Sequence, residues 1–177
     1  MIKTKGINHV ALVCRDMQET TRFYTQVLNM PLFKTVELPG GGQHFFFDCG
    51  GGSAVAFFWW EDGPPAAPGI ASVRKFPMDA KTAVGSMNHL AFDMAEEELE
   101  AALDRLEDAG VEHTHTVVNH DDSPAGMSRE MHEGVFVRSV YFTDPNGIML
   151  EFAATTKAFG PGDISHKPAT AADRVEA

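Results

Sequence analysis

Five residues near the start of the chain return in kind eighty positions later, and this repeat constrains the fold more than any other feature. Asn8-His9-Val10-Ala11-Leu12 recurs as Asn88-His89-Leu90-Ala91-Phe92. Each copy comes after a glycine, Gly6 or Gly85, and sits in an alternating stretch that reads as a strand. Ile7, His9, Ala11 and Val13 then share one strand face, opposite Asn8, Val10 and Leu12; Met87, His89 and Ala91 do the same in the second copy. The segments beyond the two strands match as well. Asp16 is placed to cap a helix running to about Met30, with Phe23, Val27 and Met30 at helical spacing. A second helix spans 96–109, with Leu99, Ala102, Leu103 and Leu106 as its stripe and Gly110 as its stop. Strand-like segments at 32–38, 43–48 and 53–60 come after the first helix, and segments at 111–118, 135–143 and 148–154 after the second. They are punctuated by Pro39-Gly40-Gly41-Gly42, Gly50-Gly51-Gly52 and Asp144-Pro145-Asn146-Gly147. The expected class is α+β, two tandem βαβββ modules at 5–61 and 86–155. A linker rich in Pro, Gly and Ala (62–85) joins them, and residues 156–177 form a tail.

Composition narrows the function. A chain of 177 residues can bury a core without staples. The formal charge of −11 leaves no electrostatic footprint for nucleic acid or anionic lipid. The apolar run 54–60 is far short of the roughly 20 residues that span a bilayer. The first residues carry no apolar signal core, and two cysteines, Cys14 and Cys49, give no disulfide framework, so a cytoplasmic location is expected. The glycine runs lack the Lys-Ser/Thr pair and adjoining helix of a phosphate loop and read as turns.

Two histidines at equivalent points of a repeat invite a shared partner. If the modules pack about a pseudo-twofold axis, His9 and His89 face each other across it, and a divalent metal satisfies both imidazoles. Glu151 qualifies as a third donor: it interrupts an apolar strand, and its same-face neighbours Met149 and Ala153 are apolar. A buried carboxylate requires a cation or a raised pKa. Two histidines and one carboxylate leave coordination positions open and suit non-heme iron(II), with manganese as a competitor.

The two modules, their opening histidines and the run Asp144-Pro145-Asn146-Gly147-Ile148-Met149-Leu150-Glu151 resemble the vicinal oxygen chelate superfamily over about residues 5–154. The resemblance implies curved mixed sheets around a metal that chelates two adjacent substrate oxygens. Four-ligand members take a further donor from the last strand of the first module; the matching position here is Ala56, between Val55 and Phe57, and Glu61 would need a register slip. That gap turns the comparison from glyoxalase I and the epimerase towards extradiol dioxygenases and fosfomycin enzymes. The extradiol signature is also reproduced, from His132 through Val140-Tyr141 and Asp144-Pro145-Asn146-Gly147 to Glu151, with Glu130 as a departure. By resemblance His132 and Tyr141 contact the bound catecholate or oxygen. The acid–base histidine that extradiol enzymes carry between their metal-bearing modules is missing, since no histidine lies between His44 and His89; His120 or His132 could substitute.

His113 and His115, on one face of an expected strand, read as surface residues. The aromatic block Phe45, Phe46, Phe47, Phe57, Phe58, Trp59 and Trp60 exceeds what one core face can use, so part of it faces a planar substrate or a dimer interface. Phe47, Phe58 and Trp60 are the expected substrate contacts. The leading expectation is an iron(II) ring-cleaving dioxygenase acting on a catechol-like aromatic and O2. Its triad is His9, His89 and Glu151, its proton-handling groups are His132, Tyr141 and His120, and its state is a homodimer. The alternatives are an oxygen-independent isomerase or epoxide-opening enzyme using manganese, nickel or zinc, and a metal-free binding protein.

Overall fold

Each copy of the repeat builds its own sheet in the computed structural model of the chain, which describes residues 3–67 and 82–173. The first sheet comprises β1 (His9–Val13), β2 (Leu32–Leu38), β3 (Gly42–Asp48) and β4 (Ala54–Trp60), in the order β1-β4-β3-β2. The second comprises β5 (Leu90–Asp93), β6 (Val118–His120), β7 (Met127–Ser128), β8 (Val137–Thr143) and β9 (Met149–Thr155), in the order β5-β9-β8-β6-β7. In both, the opening strand pairs parallel with the last and the remaining pairs are antiparallel. The fold is α+β, two modules with mixed sheets: the first is βαβββ, and the second adds the short strand β7 to that pattern. Most of the expected linker, 68–81, lies outside the described residues, as does the end of the tail, 174–177. No helix among the described residues is long and apolar enough to cross a membrane.

The helices depart from the expected spans for local reasons. Helix α1 (Met17–Arg22) starts at Asp16, whose Oδ1 accepts the Glu19 N–H at 2.9 Å. It widens into a π-helical turn at Phe23–Val27 and stops at Asn29, which takes φ 56°, just before Pro31. The wide turn lets consecutive rings, Phe23 and Tyr24, both point inward. Helix α2 (Leu99–Asp108) is entered through a 3₁₀ turn at Glu96–Glu98 and buries the expected Leu99, Ala102, Leu103 and Leu106.

The expected strand at 111–118 is corrected: among these residues the sheet claims only Val118, the start of β6, and His113 makes an isolated bridge to Phe142. Local side-chain bonding competes with the ladder here. The Thr114 hydroxyl accepts the Tyr141 N–H at 3.2 Å, and His113 Nδ1 donates to the Val111 carbonyl at 2.7 Å.

Both sheets turn one face inward onto a common core. Val55, Phe57 and Phe47 from the first sheet, Tyr24 from the π turn, Leu99 and Leu106 from α2, and Val140, Phe142, Leu150 and Phe152 from the second form a single buried cluster. Burial of each such side chain stabilises the fold by about 1.5–3 kcal/mol. A polar joint locks the modules together at the Asp144-Pro145-Asn146-Gly147 turn. Asn146 Oδ1 accepts the Arg15 N–H, Asn146 Nδ2 donates to the Thr20 hydroxyl, and the Tyr24 hydroxyl donates to Asp144. Arg105 of α2 donates to the carbonyls of Gln26 and Val27. With the inner faces fused, the opposite, or open, face of each sheet points away from the shared core, although on the second sheet Ser139, Tyr141 and Glu151 are buried there.

Candidate metal centre

The open face of the second sheet carries the chemistry. Glu151 lies in the middle of β9, paired with Ala91 of β5 on one side and Tyr141 of β8 on the other. His89 precedes β5 and points to the same face, two residues from Ala91. Its Nε2 stands 3.0 Å from Glu151 Oε2. The other carboxylate oxygen accepts the Ser139 hydroxyl at 2.5 Å, so both oxygens of a 5% exposed carboxylate are held by neighbouring strands. Burial pushes the Glu151 carboxyl up, but the hydrogen bonds from His89 and Ser139 outweigh it and leave its pKa below the usual value. The hydrogen bond to Glu151, against an opposing effect of burial, raises the pKa of His89. Asn88 Oδ1 lies 2.7 Å from His89 Nδ1 and orients the ring so that Nε2 faces the carboxylate.

Tyr141 and His120 complete this face. The Tyr141 hydroxyl lies 3.1 Å from His120 Nε2, and its ring meets His89 edge to face at 5.8 Å. Burial first, and the negative Glu151 second, push the phenol well above its ordinary pKa, so it stays protonated. Tyr141, Met149 and Val118 form a small apolar cluster of their own around the polar groups.

The open face of the first sheet carries one expected ligand. His9 repeats the local arrangement of His89, with Nδ1 2.8 Å from Asn8 Oδ1 and Nε2 turned outward. Its same-face neighbours across β4 are Ala54 and Ala56, which offer no second donor. Beyond these small residues runs a chain of rings. Phe46 meets His9 at 5.7 Å and His44 at 4.3 Å, His44 stacks on Phe58 at 3.6 Å, and Phe58 stacks on Trp60 at 5.0 Å. Trp60 lies down over Gly42, where a Cβ would meet its ring at 2.8 Å. A cavity of about 430 Å³ opens here, lined by Asn8, His9, Phe33, Lys34 and Phe46 among others. A larger cleft of about 900 Å³, beside α1, holds none of the expected site residues.

The structure therefore brings His89, Glu151, Tyr141 and His120 together and leaves His9 on the other sheet. Among the described residues no group of three His, Cys, Asp or Glu side chains could hold a metal within one chain. The donors still fit a divalent ion: each half presents clamped imidazoles with Nε2 outward, and the second half adds a buried carboxylate. His132 is engaged elsewhere. Its Nε2 donates to Asp121 at 3.0 Å, and its Nδ1 accepts the Gly134 N–H at 3.0 Å, so it clasps the loop after His120. Phe47, expected against substrate, is fully buried on the core face between Tyr24 and Phe57; alternation puts Phe46, not Phe47, beside Phe58 and Trp60. His113 and His115 stand apart from the site with their rings 6.2 Å apart. The sequence reading missed Phe46, His44 and Ser139. The period-two pattern of β3 marks the first two, and Ser139 lies two residues before Tyr141 on the same face of β8.

One family profile, described as Glyoxalase/Bleomycin resistance protein/Dioxygenase superfamily, matches residues 6–152. A search of curated proteins finds no match. Among solved structures, the chain is similar to a glyoxylase/bleomycin resistance protein/dioxygenase domain from Frankia sp. EAN1pec, with 19% identity, TM-score 0.61, and coverage of 86% of this chain and 99% of that one. A glyoxalase family protein from Enterococcus faecalis gives 21% identity, TM-score 0.58, and coverage of 84% and 97%. A variant of the fosfomycin resistance protein FosX from Listeria monocytogenes, complexed with Mn(II) and 1S,2S-dihydroxypropylphosphonic acid, gives 20% identity, TM-score 0.54, and coverage of 87% and 95%. At these identities the likeness is one of fold.

Proposed function

The chain belongs to the Glyoxalase/Bleomycin resistance protein/Dioxygenase superfamily, and on that premise we propose that it is a metal-dependent enzyme whose site is completed between two copies. His89 and Glu151 of one copy and His9 of a second copy would hold the ion. The reading rests on one observation above all: a two-donor half and a one-donor half lie on separate open faces, and neither suffices alone. A homodimer that lays the first sheet of one chain over the second sheet of the other unites them. Exposed Val13, Phe33 and Trp60 on one side, and Met127 and Met131 on the other, supply apolar surface for that contact.

The reaction we assign is ring cleavage of a catechol-like substrate by O2, with iron(II) as the metal. Both oxygen atoms enter the product, so no separate reductant is required. When bound, the ion would supply Lewis acidity to two adjacent substrate oxygens. The chain's own groups do the rest. Tyr141, protonated and held by His120, donates a hydrogen bond to a substrate oxygen beside Glu151. His120 stands behind it to take or return the proton. Phe46, Phe58 and Trp60 present the apolar surface against which a planar ring packs. His132 holds the loop through Asp121.

The likeness to FosX supports a second reading, oxygen-independent opening of an epoxide with manganese. Metal analysis of protein purified without oxygen, followed by oxygen uptake with catechols, separates the two. Near-stoichiometric iron and catechol-dependent oxygen uptake are expected. Turnover without oxygen on a manganese protein would replace ring cleavage by the second reading. A protein that takes up no metal would contradict both and leave a binding module.

A further inference from the structure

We propose that His44 takes the proton of a substrate hydroxyl in the assembled site, a step separate from the hydrogen bond that the Tyr141–His120 pair gives to a substrate oxygen. The inference rests on the two-copy reading above, because His44 sits on the face that carries His9. The strand register places them together: across β4, His9 pairs with Ala54, Phe46 with Ala56 and His44 with Phe58, all on the open side. Both imidazoles pack edge to face with the same Phe46 ring, His9 at 5.7 Å and His44 at 4.3 Å.

Three features prepare His44 for this role. Its Nδ1 lies 3.1 Å from the Phe57 carbonyl oxygen, which can only accept, so Nδ1 carries the proton and Nε2 presents its lone pair. The ring is held nearly parallel to Phe58, at an interplanar angle of 6°, and in T-shaped contact with Phe46, so the direction of that lone pair is set by packing. The other histidines of the two open faces are engaged: His9 and His89 through their ligand roles, His120 with Tyr141. Among the described residues, His44 Nε2 has no hydrogen-bond partner.

In the proposed step the O–H bond of a substrate hydroxyl breaks and an Nε2–H bond forms, giving an oxyanion and an imidazolium. The titratable groups on the same face are His9 on β1, Lys34 on β2 and Asp48 on β3, while β4 adds none.

The experiment uses the Mn(II)-loaded full chain and 4-nitrocatechol, whose visible spectrum reports its ionisation when bound. His44→Phe keeps a flat ring on Phe58 and removes the nitrogen; His44→Gln keeps polarity without the base. Both variants should bind as much manganese as the wild type. Both should raise the pH at which bound 4-nitrocatechol ionises by about one unit, which weakens binding of the ionised probe about tenfold at neutral pH. Titration curves that superimpose on the wild type at equal metal content would overturn the role of His44 alone. A wild-type protein that binds no manganese would overturn the two-copy metal reading, and this inference with it.

Discussion

His89 Nε2 lies 3.0 Å from Glu151 Oε2, across the one parallel strand pair of the second sheet, and each group is held from behind. Asn88 holds the far nitrogen of His89 and Ser139 holds the far oxygen of Glu151. A buried carboxylate shared in this way leaves no slack for a substitute. Glu151→Ala and His89→Ala should therefore each abolish stoichiometric metal binding, and Glu151→Gln should reduce affinity by at least about 100-fold. Metal content by elemental analysis after dialysis checks this. Glu151→Ala protein with a full complement of metal would show that the carboxylate is no ligand.

The same pair sets a pH signature in the metal-free protein. The pKa of His89 is raised from 6.5, so its contribution to stability is full below that value and is lost as pH rises through the raised one. The pKa of Glu151 is lowered from 4.5, so its contribution is present above that value and is lost as pH falls through the lowered one. The pair therefore stabilises most between those ordinary values, in mildly acid solution. Thermal melts of metal-free wild type should show an advantage over Glu151→Gln that is largest there and shrinks toward alkaline pH. Metal affinity should run the opposite way, falling as acid protonates His89.

Tyr141→Phe and His120→Gln each remove a proton-handling group and leave His9, His89 and Glu151 in the sequence. Each should lower kcat/KM by about 100- to 1000-fold with metal content unchanged. His132→Ala and Asp121→Ala break one clasp between them. They should lower activity by similar factors of less than about tenfold, with the double variant no worse than either single one. Steady-state kinetics on metal-matched proteins make the comparison. A His132→Ala loss as deep as that of Tyr141→Phe would return His132 to the reacting centre.

The joint between the modules carries its own prediction. Asp144 accepts the backbone N–H groups of Asn146 and Ile148 at 2.8 Å each, and also bonds the Asn146 amide and the Tyr24 hydroxyl. Burial raises its pKa despite these partners. Asp144→Ala leaves the N–H groups unpaired and should cost about 2–4 kcal/mol. In a chain of this size that is a fall in Tm of roughly 5–10 °C, read by calorimetry. Asp144→Asn retains an acceptor and should lose less.

Much of this arrangement is legible in the sequence because the repeat carries it. The two Asn-His pairs, the apolar stripe of the second helix and the turn at 144–147 each specify local structure in a few adjacent residues, and these features define both modules. Glu151 stands out because its neighbours are apolar. What the sequence does not carry is how the modules meet. An expectation that His9 and His89 face each other depends on which sheet faces turn inward, and the fused core of Tyr24, Phe57, Phe142 and Phe152 sends both histidines outward. Phe47 is misassigned for a smaller reason: three consecutive phenylalanines hide the phase of β3, and only pairing with Val55 fixes it. The strand expected at 111–118 gives way because Thr114 places a hydroxyl where the ladder needs a carbonyl.

The most direct test mixes two defective chains. His9→Ala and Glu151→Ala proteins, differently tagged, are co-expressed, and the mixed dimer is isolated through both tags. If the site is built between copies, the Glu151→Ala chain lends its intact His9 to the intact His89 and Glu151 of the His9→Ala chain. The mixed dimer should then bind one metal ion, where each parent homodimer binds none. A mixed dimer without metal, beside a fully loaded wild type, would contradict a site shared between two chains.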